Sequence, residues 1–170
     1  MEFRKLRPEE IDLRVGTLVC TDTVKGVSLL CYKDARVDMQ ILDETVGPEN
    51  WQREHYECKG NLFCRVGIKC DGEWVWKADC GTESQTEREK GESSDSFKRA
   101  CVCWGIGREL YTSPFIWIPL SAEYFSQGRL TKKAQREING FYVSEIDYTE
   151  KGEVKKLVIM DKNGNVVWRG

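Results

Sequence analysis

Histidine is almost missing from this chain. His55 is the only one in 170 residues, which leaves little room for a Ser or Cys triad built on an imidazole base. No P-loop, GxSxG, HExxH or HxE…PCxxC pattern occurs. Nucleotide hydrolysis, ester or peptide hydrolysis and zinc-dependent deamination therefore lack their signatures. Nor is there a run of about 18 apolar residues, the length a membrane-spanning helix needs. The opening MEFRKLRPEE has no apolar stretch of signal-peptide length, so no secretion is expected. Positive charge is not in excess either. With 26 Lys and Arg against 28 Asp and Glu, the formal net charge is -2. That speaks against a protein that coats duplex DNA by bulk charge. A local basic groove stays open, because those cations can be sorted onto one face.

Cysteine, by contrast, is plentiful, at Cys20, Cys31, Cys58, Cys64, Cys70, Cys80, Cys101 and Cys103. No CxxC pair occurs, and a zinc site needs four ligands at tight spacing. Without a secretion signal the expected setting is a reducing cytosol, where disulfides are rare. The thiols read as small buried hydrophobes. Hydrophobic residues make up 40% and charged residues 32%, a globular balance with enough material for one core and a small appendage.

The run PEEIDLRV, residues 8 to 15, looks like a short helix with Pro8 in its first turn, Glu9 and Glu10 at the dipole-favoured end and Gly16 as its stop. Residues 27 to 33 read as a strand. Val37, Ile41, Leu42 and Val46 follow helical spacing, with Asp34 as cap and Gly47-Pro48 as terminator. Three strands are predicted next: Trp51 to Cys58, Leu62 to Cys70 and Glu73 to Cys80. They are joined by a Lys59-Gly60-Asn61 turn and an Asp71-Gly72 hairpin. In the second strand Leu62, Cys64, Val66, Ile68 and Cys70 share one face by period two. In the third, Trp74, Trp76, Ala78 and Cys80 alternate with Val75, Lys77 and Asp79, and the Trp set is assigned to the apolar side. Arg65, Lys69 and Lys77 are expected to line the basic face of this sheet.

Ser84 and Glu87 could form a capping box, and a long helix is predicted from Ser93 to about Tyr111, with Phe97, Cys101, Trp104 and Leu110 near one stripe. An extended run, TSPFIWIP, follows. Ser121 to Ile138 is a polar helix or linker. Phe141 to Tyr148, Val154 to Met160 and Val166 to Arg169 read as a second three-stranded meander.

Chemistry of two kinds can be placed on these elements. Asp71, Glu73 and Asp79 could make a two-metal nuclease site, although Asp71 sits in an apparent turn. Asp43 and Glu44 read as a solvated face. The other kind is single-strand binding, which needs cations along phosphates and groups that stack on bases. Lys98 and Arg99 are adjacent on a helix whose other face is apolar, and Lys33 and Arg36 flank the start of the earlier helix. Each could also be plain solvated surface, as in an interaction module of a mobile element.

The run YKDARVDMQILDETVGPENW, the DG hairpin and then SSDSFKRACVCWGIGRELY resemble the Rad-fifty-two-type single-strand annealing proteins. The family's RV…G-x-x-x-W pattern is matched by Arg36, Val37, Gly47 and Trp51. Its D-x-x-KRA-x-x-x-x-G signature is matched by Asp95, Lys98, Arg99, Ala100 and Gly105. The opening FRKLRPEEIDLRVG is similar to members from phage or prophage, and the likeness runs over roughly residues 3 to 118. It implies an α+β fold: a three-stranded antiparallel sheet packed on a long helix (a β-β-β-α core), plus a small C-terminal β-meander. It also implies a homo-oligomer, as a ring or helical filament, with single-stranded DNA in an outer basic groove and no cofactor. By position Arg36, Lys98 and Arg99 would meet phosphates, and Lys59 would belong to a peripheral second site. Val102 stands where the family has another basic residue, with Arg108 as its candidate substitute. Phe115 and Trp117 are divided between core and subunit contact.

The resulting expectation is a strand-annealing recombination protein without covalent catalysis, working in a bacterial host cytoplasm. Its DNA-binding candidates are Arg36, Lys98, Arg99, Lys33, Lys59, Arg65, Lys69, Lys77 and Arg108. A phage exonuclease or a host single-strand-binding protein would be its partners, and no membrane is involved. Residues 1–120 would form the annealing core, 121–138 a linker or helix and 139–170 the appended meander. The alternatives are a metal-dependent nuclease and a module that binds no DNA.

Overall fold

The computed structural model describes residues 1–82 and 88–170, with only the backbone for 88–90. The Ser84–Glu87 capping box lies outside the described residues. The strands are β1 (Asp12–Cys20), β2 (Lys25–Tyr32), β3 (Trp51–Cys58), β4 (Asn61–Cys70), β5 (Glu73–Cys80), β6 (Ile116–Pro119), β7 (Phe125–Ser126), β8 (Arg129–Leu130), β9 (Tyr142–Tyr148), β10 (Val154–Met160) and β11 (Val166–Arg169). The helices are α1 (Ala35–Val46), α2 (Arg88–Trp104) and α3 (Lys132–Ile138). This is a mixed α+β protein with several antiparallel sheets. Two compact units divide it: Met1–Lys5 with Asp34–Arg108, and Leu6–Lys33 with Glu109–Gly170.

In the first unit, the Asp34 side chain accepts a hydrogen bond from the Arg36 amide (2.8 Å) and caps α1 as expected. Gly47 ends the helix at φ 85, a region open to glycine, and Pro48 follows. Strands β3, β4 and β5 form a meander in that order. Their register pairs Cys64 with His55 and Asp79, Val66 with Arg53 and Lys77, and Ile68 with Trp51 and Val75. Paired residues share a face, so one side of the sheet carries the fully buried Cys64, Val66 and Ile68. Helix α2 meets this side: Trp104 Nε1 donates to the Val66 carbonyl (3.0 Å) and Phe97 stacks with Trp51 at 6.1 Å. Phe97, Ala100 and Cys101 are fully buried. Burying a ring the size of Phe97 stabilises by roughly 1.5–3 kcal/mol.

The same register corrects the face assignment in β5. Trp74, Trp76, Ala78 and Cys80 pair with Lys69, Gly67, Arg65 and Phe63, on the side away from the buried Cys64, Val66 and Ile68. Lys77 lies on the α2 side, so Arg65, Lys69 and Lys77 do not line one face. Apolar alternation in β5 pointed the wrong way because strand pairing, not hydropathy, decided which set faces the helix. Helix α2 also stops at Trp104 rather than near Tyr111, because Gly105 (φ 109) and Gly107 (φ 71) turn the chain. Residues Arg108–Thr112 form a separate 3-10 turn.

In the second unit the expected helix over residues 8 to 15 is absent. Pro8–Glu10 make one 3-10 turn, and the chain enters β1 at Asp12. Pairing with β2 wins over the local helix-start signal, and Val15, Thr17 and Val19 suit a strand. Gly16 is needed for close approach rather than as a helix stop: a Cβ there would meet Leu30 Cγ at 2.8 Å, beside a bulge between Val15 and Leu18. Strand β6 completes a β1-β2-β6 sheet, and the predicted C-terminal strands form the sheet β11-β10-β9. The 121–138 stretch holds a β7-β8 hairpin and α3, whose cap is Thr131. The Tyr148 hydroxyl donates to the Leu6 carbonyl (2.8 Å), and the Val154 amide donates to Thr112 Oγ1 (2.9 Å).

Cys64 and Cys101 are buried, as expected of thiols used as hydrophobes, and burial pushes the Cys64 thiol up to about 11. The reading does not extend to the other thiols: Cys20, Cys31, Cys70, Cys80 and Cys103 are half-buried, and Cys58 is exposed at the end of β3.

Candidate nucleic-acid interface

Three cations of the first unit lie near two acids, Asp34 at the start of α1 and Asp79 in β5. The Arg36 guanidinium donates from Nε to Asp34 Oδ1 (2.8 Å) and from Nη2 to Oδ2 (3.3 Å), while its side chain stays 86% exposed. The cap residue thus serves two donors, the Arg36 amide and the Arg36 side chain. The hydrogen bond from the Arg36 side chain, then that from its amide, and the nearby charge of Lys98 hold the Asp34 carboxyl below the usual carboxylate range. So the charge of Lys98, 62 positions from Arg36 in sequence, reaches the acid that Arg36 holds. Arg99, one residue on, pairs through Nη2 with Asp79 Oδ2 of β5 at 3.2 Å.

The remaining residues of the sequence motif build the support. Asp95 accepts from the Thr82 amide and hydroxyl, both at 3.0 Å, fastening the chain that leaves β5 to α2. Trp51 Nε1 donates to Asp43 Oδ1 (2.6 Å), tying β3 to α1. Ala100 is fully buried, and Gly47 and Gly105 hold positive φ at the two helix ends. Exposed charge and buried scaffold are therefore separated within one motif.

The other candidates are placed elsewhere. Lys77 Nζ donates to the Cys103 carbonyl (3.1 Å) and lies 4.4 Å from the Trp104 ring centroid. Arg108 donates to the Val102 carbonyl (2.8 Å) and the Cys103 carbonyl (2.9 Å). Both cations therefore converge on the last carbonyls of α2, where the helix dipole is negative. Arg65 donates to Glu54 (2.6 Å) and sits over Trp76 (4.6 Å) on the far side of the sheet, with the exposed Lys69. Lys59 is exposed in the β3-β4 turn at φ 53. Lys33 is only 4% exposed and belongs to the second unit.

Of the acids considered for a nuclease, Asp79 is Arg99's partner and Asp71 occupies the β4-β5 turn at φ 51. Among the described residues no group of three or more His, Cys, Asp or Glu could hold a metal ion. One cation was missed by sequence reading. Arg53 lies over the Phe97 ring at 4.7 Å, on the α2 side of β3 between Trp51 and His55. The period-two alternation of Trp51, Arg53 and His55 is the signal that could have found it.

A family model described as Rad52/22 family double-strand break repair protein matches residues 4–128. No curated protein sequence matches the chain.

Proposed function

Since the chain belongs to the Rad52/22 family of double-strand break repair proteins, we propose that it binds single-stranded DNA and anneals complementary strands without covalent chemistry. The observation that carries this reading is the 86% exposed Arg36 guanidinium on Asp34, an acid that also feels the charge of Lys98, with Arg99, next in sequence to Lys98, paired to Asp79. Phosphate contacts of this kind hold any sequence and leave base edges free for testing by a second strand. We read β3, β4, β5 and α2 as the β-β-β-α core that the resemblance implies, residues 1–120 as the annealing segment, 121–138 as its connection and 139–170 as an added meander. Lys59 would serve a peripheral second site. Several subunits in a ring or filament would string weak sites along one strand and raise avidity. A phage origin, a bacterial cytoplasm and an exonuclease partner complete the proposal.

The test is salt-dependent binding to oligo(dT) followed by an annealing assay. The slope of log affinity against log salt should be about -0.7 per phosphate neutralised. Lys98→Ala combined with Arg99→Ala should weaken binding of unrelated sequences alike, by at least about tenfold, and flatten that slope. A double variant that binds and anneals like the wild type would remove the assignment.

A further inference from the structure

Two sheets of the second unit each leave an edge strand unpaired, and the two edges flank one groove. Strand β1 ends the β1-β2-β6 sheet, and β9 ends the β11-β10-β9 sheet. Among the described residues no backbone hydrogen bond joins them. Between them lies a cavity of about 1050 Å³, with Asp12–Val15 as one wall and Tyr142–Ser144 as the other. In an antiparallel pair, alternate residues turn their amides and carbonyls away from the neighbouring strand. β1 therefore presents main-chain donors and acceptors along the groove. Proteins commonly blunt such an edge with proline or lysine. The β1 run DLRVGTLVC has neither. Instead Val15, Tyr32 and Tyr142, all exposed, line the groove with apolar surface.

The walls select the occupant. Glu9, just ahead of β1, and Asp12 are exposed acids at one end of the groove. They repel phosphate and attract cations, so a nucleic-acid strand is disfavoured. An edge strand of a second copy fits poorly as well. Its own sheet neighbour would lie about 4.8 Å further out, on the side where β9 stands. What fits is a single extended segment with both of its sides free. Cationic side chains suit the Glu9–Asp12 end, and apolar ones suit the stretch beside Val15, Tyr32 and Tyr142.

We infer that β1 and β9 form a docking groove for an extended, cationic peptide segment of a partner protein, which adds to the β1 edge as an antiparallel strand. Main-chain hydrogen bonds supply affinity in this mode, and alternate side chains supply specificity. One wall, β9, lies beyond residues 4–128, the stretch that matches the family model. The groove uses none of Arg36, Lys98 and Arg99, so it and the proposed function stand or fall separately.

A labelled, C-terminally amidated octapeptide, Val-Thr-Val-Thr-Val-Lys-Val-Lys, is the probe, titrated into the full chain. Antiparallel pairing brings its lysines to Glu9 and Asp12. It should bind saturably. The same peptide methylated at every interior amide should not, because methylation removes the main-chain donors and keeps the charge. Glu9→Lys combined with Asp12→Lys should weaken the lysine peptide about three- to tenfold and strengthen a version with Glu in place of Lys. No binding by the wild type, equal binding of the methylated peptide, or unchanged affinity in the charge-reversed protein would each overturn the inference. The two peptides decide on the wild type alone if that variant fails to fold. Displacement of the peptide by oligo(dT) would also overturn it and give the groove to nucleic acid. So would a charge-reversed protein that changes its assembly state in light scattering yet keeps its peptide affinity, which would assign the groove to contact between copies.

Discussion

Asp34 is the residue on which the candidate site turns. Its carboxylate caps α1, holds Arg36 and feels the charge of Lys98. A phosphate arriving at Arg36 and Lys98 must compete with it. Asp34→Asn keeps an oxygen for the cap and removes the competing charge, so single-strand affinity should rise roughly two- to fivefold, on the scale of an exposed ion pair. Titration of oligo(dT) at fixed salt measures it. The same carboxylate gives an acid limb to stability. Its folded pKa is depressed, so its contribution is complete above the ordinary carboxylate value near 4 and fades as pH falls from there through the lower folded value. Thermal melts between pH 6 and 2 should show a shallower acid loss in the Asn variant. From spacing alone the nearness of Lys98 to Asp34 was not legible, although the resemblance had grouped Arg36, Lys98 and Arg99. The Asp34 cap was, because capping is a local signal, but the approach of Lys98 depends on tertiary packing that no spacing rule reports.

At the scale of elements, α2 shows how charge with two readings is resolved. Lys77 and Arg108 looked like DNA contacts, and the structure turns both onto the carbonyls at the helix end. Arg108→Ala should therefore lower stability by about 0.5–1 kcal/mol and leave oligo(dT) affinity within a factor of two. Chemical denaturation and binding on the same sample separate the two effects. Strands β3 to β5 were legible to within a residue, because alternation and turn residues agreed with the final pairing. Which face of β5 meets α2 was not, since that depends on register with β4. Strand β1 was missed outright: Pro8, Glu9 and Glu10 mimic a helix start, and the partner that overrules them, β2, lies beyond a turn.

For the molecule as a whole, the second unit holds together through links between distant stretches. The Tyr148 hydroxyl reaches the Leu6 carbonyl, and the Leu6 amide donates to Glu109 Oε1 (2.7 Å). Burial first, then the charges of Glu109, Glu10 and Cys31, raise the Tyr148 phenol well above its usual value. Stability from this group is therefore complete below about pH 10 and lost as pH climbs past it. Tyr148→Phe should cost about 1 kcal/mol at neutral pH and flatten the alkaline decline, as melts from pH 7 to 11 would show.

The division of the chain bears on its birth at the ribosome. Everything the first unit needs has been made once Arg108 is added, whereas Leu6–Lys33 must wait for Glu109–Gly170. At about 5–20 residues per second that wait lasts several seconds. The β1-β2 hairpin, complete at Tyr32, waits for β6 until Pro119 is added, roughly 4–17 seconds at that rate, and for that time the β2 edge stays unpaired and open to wrong pairing.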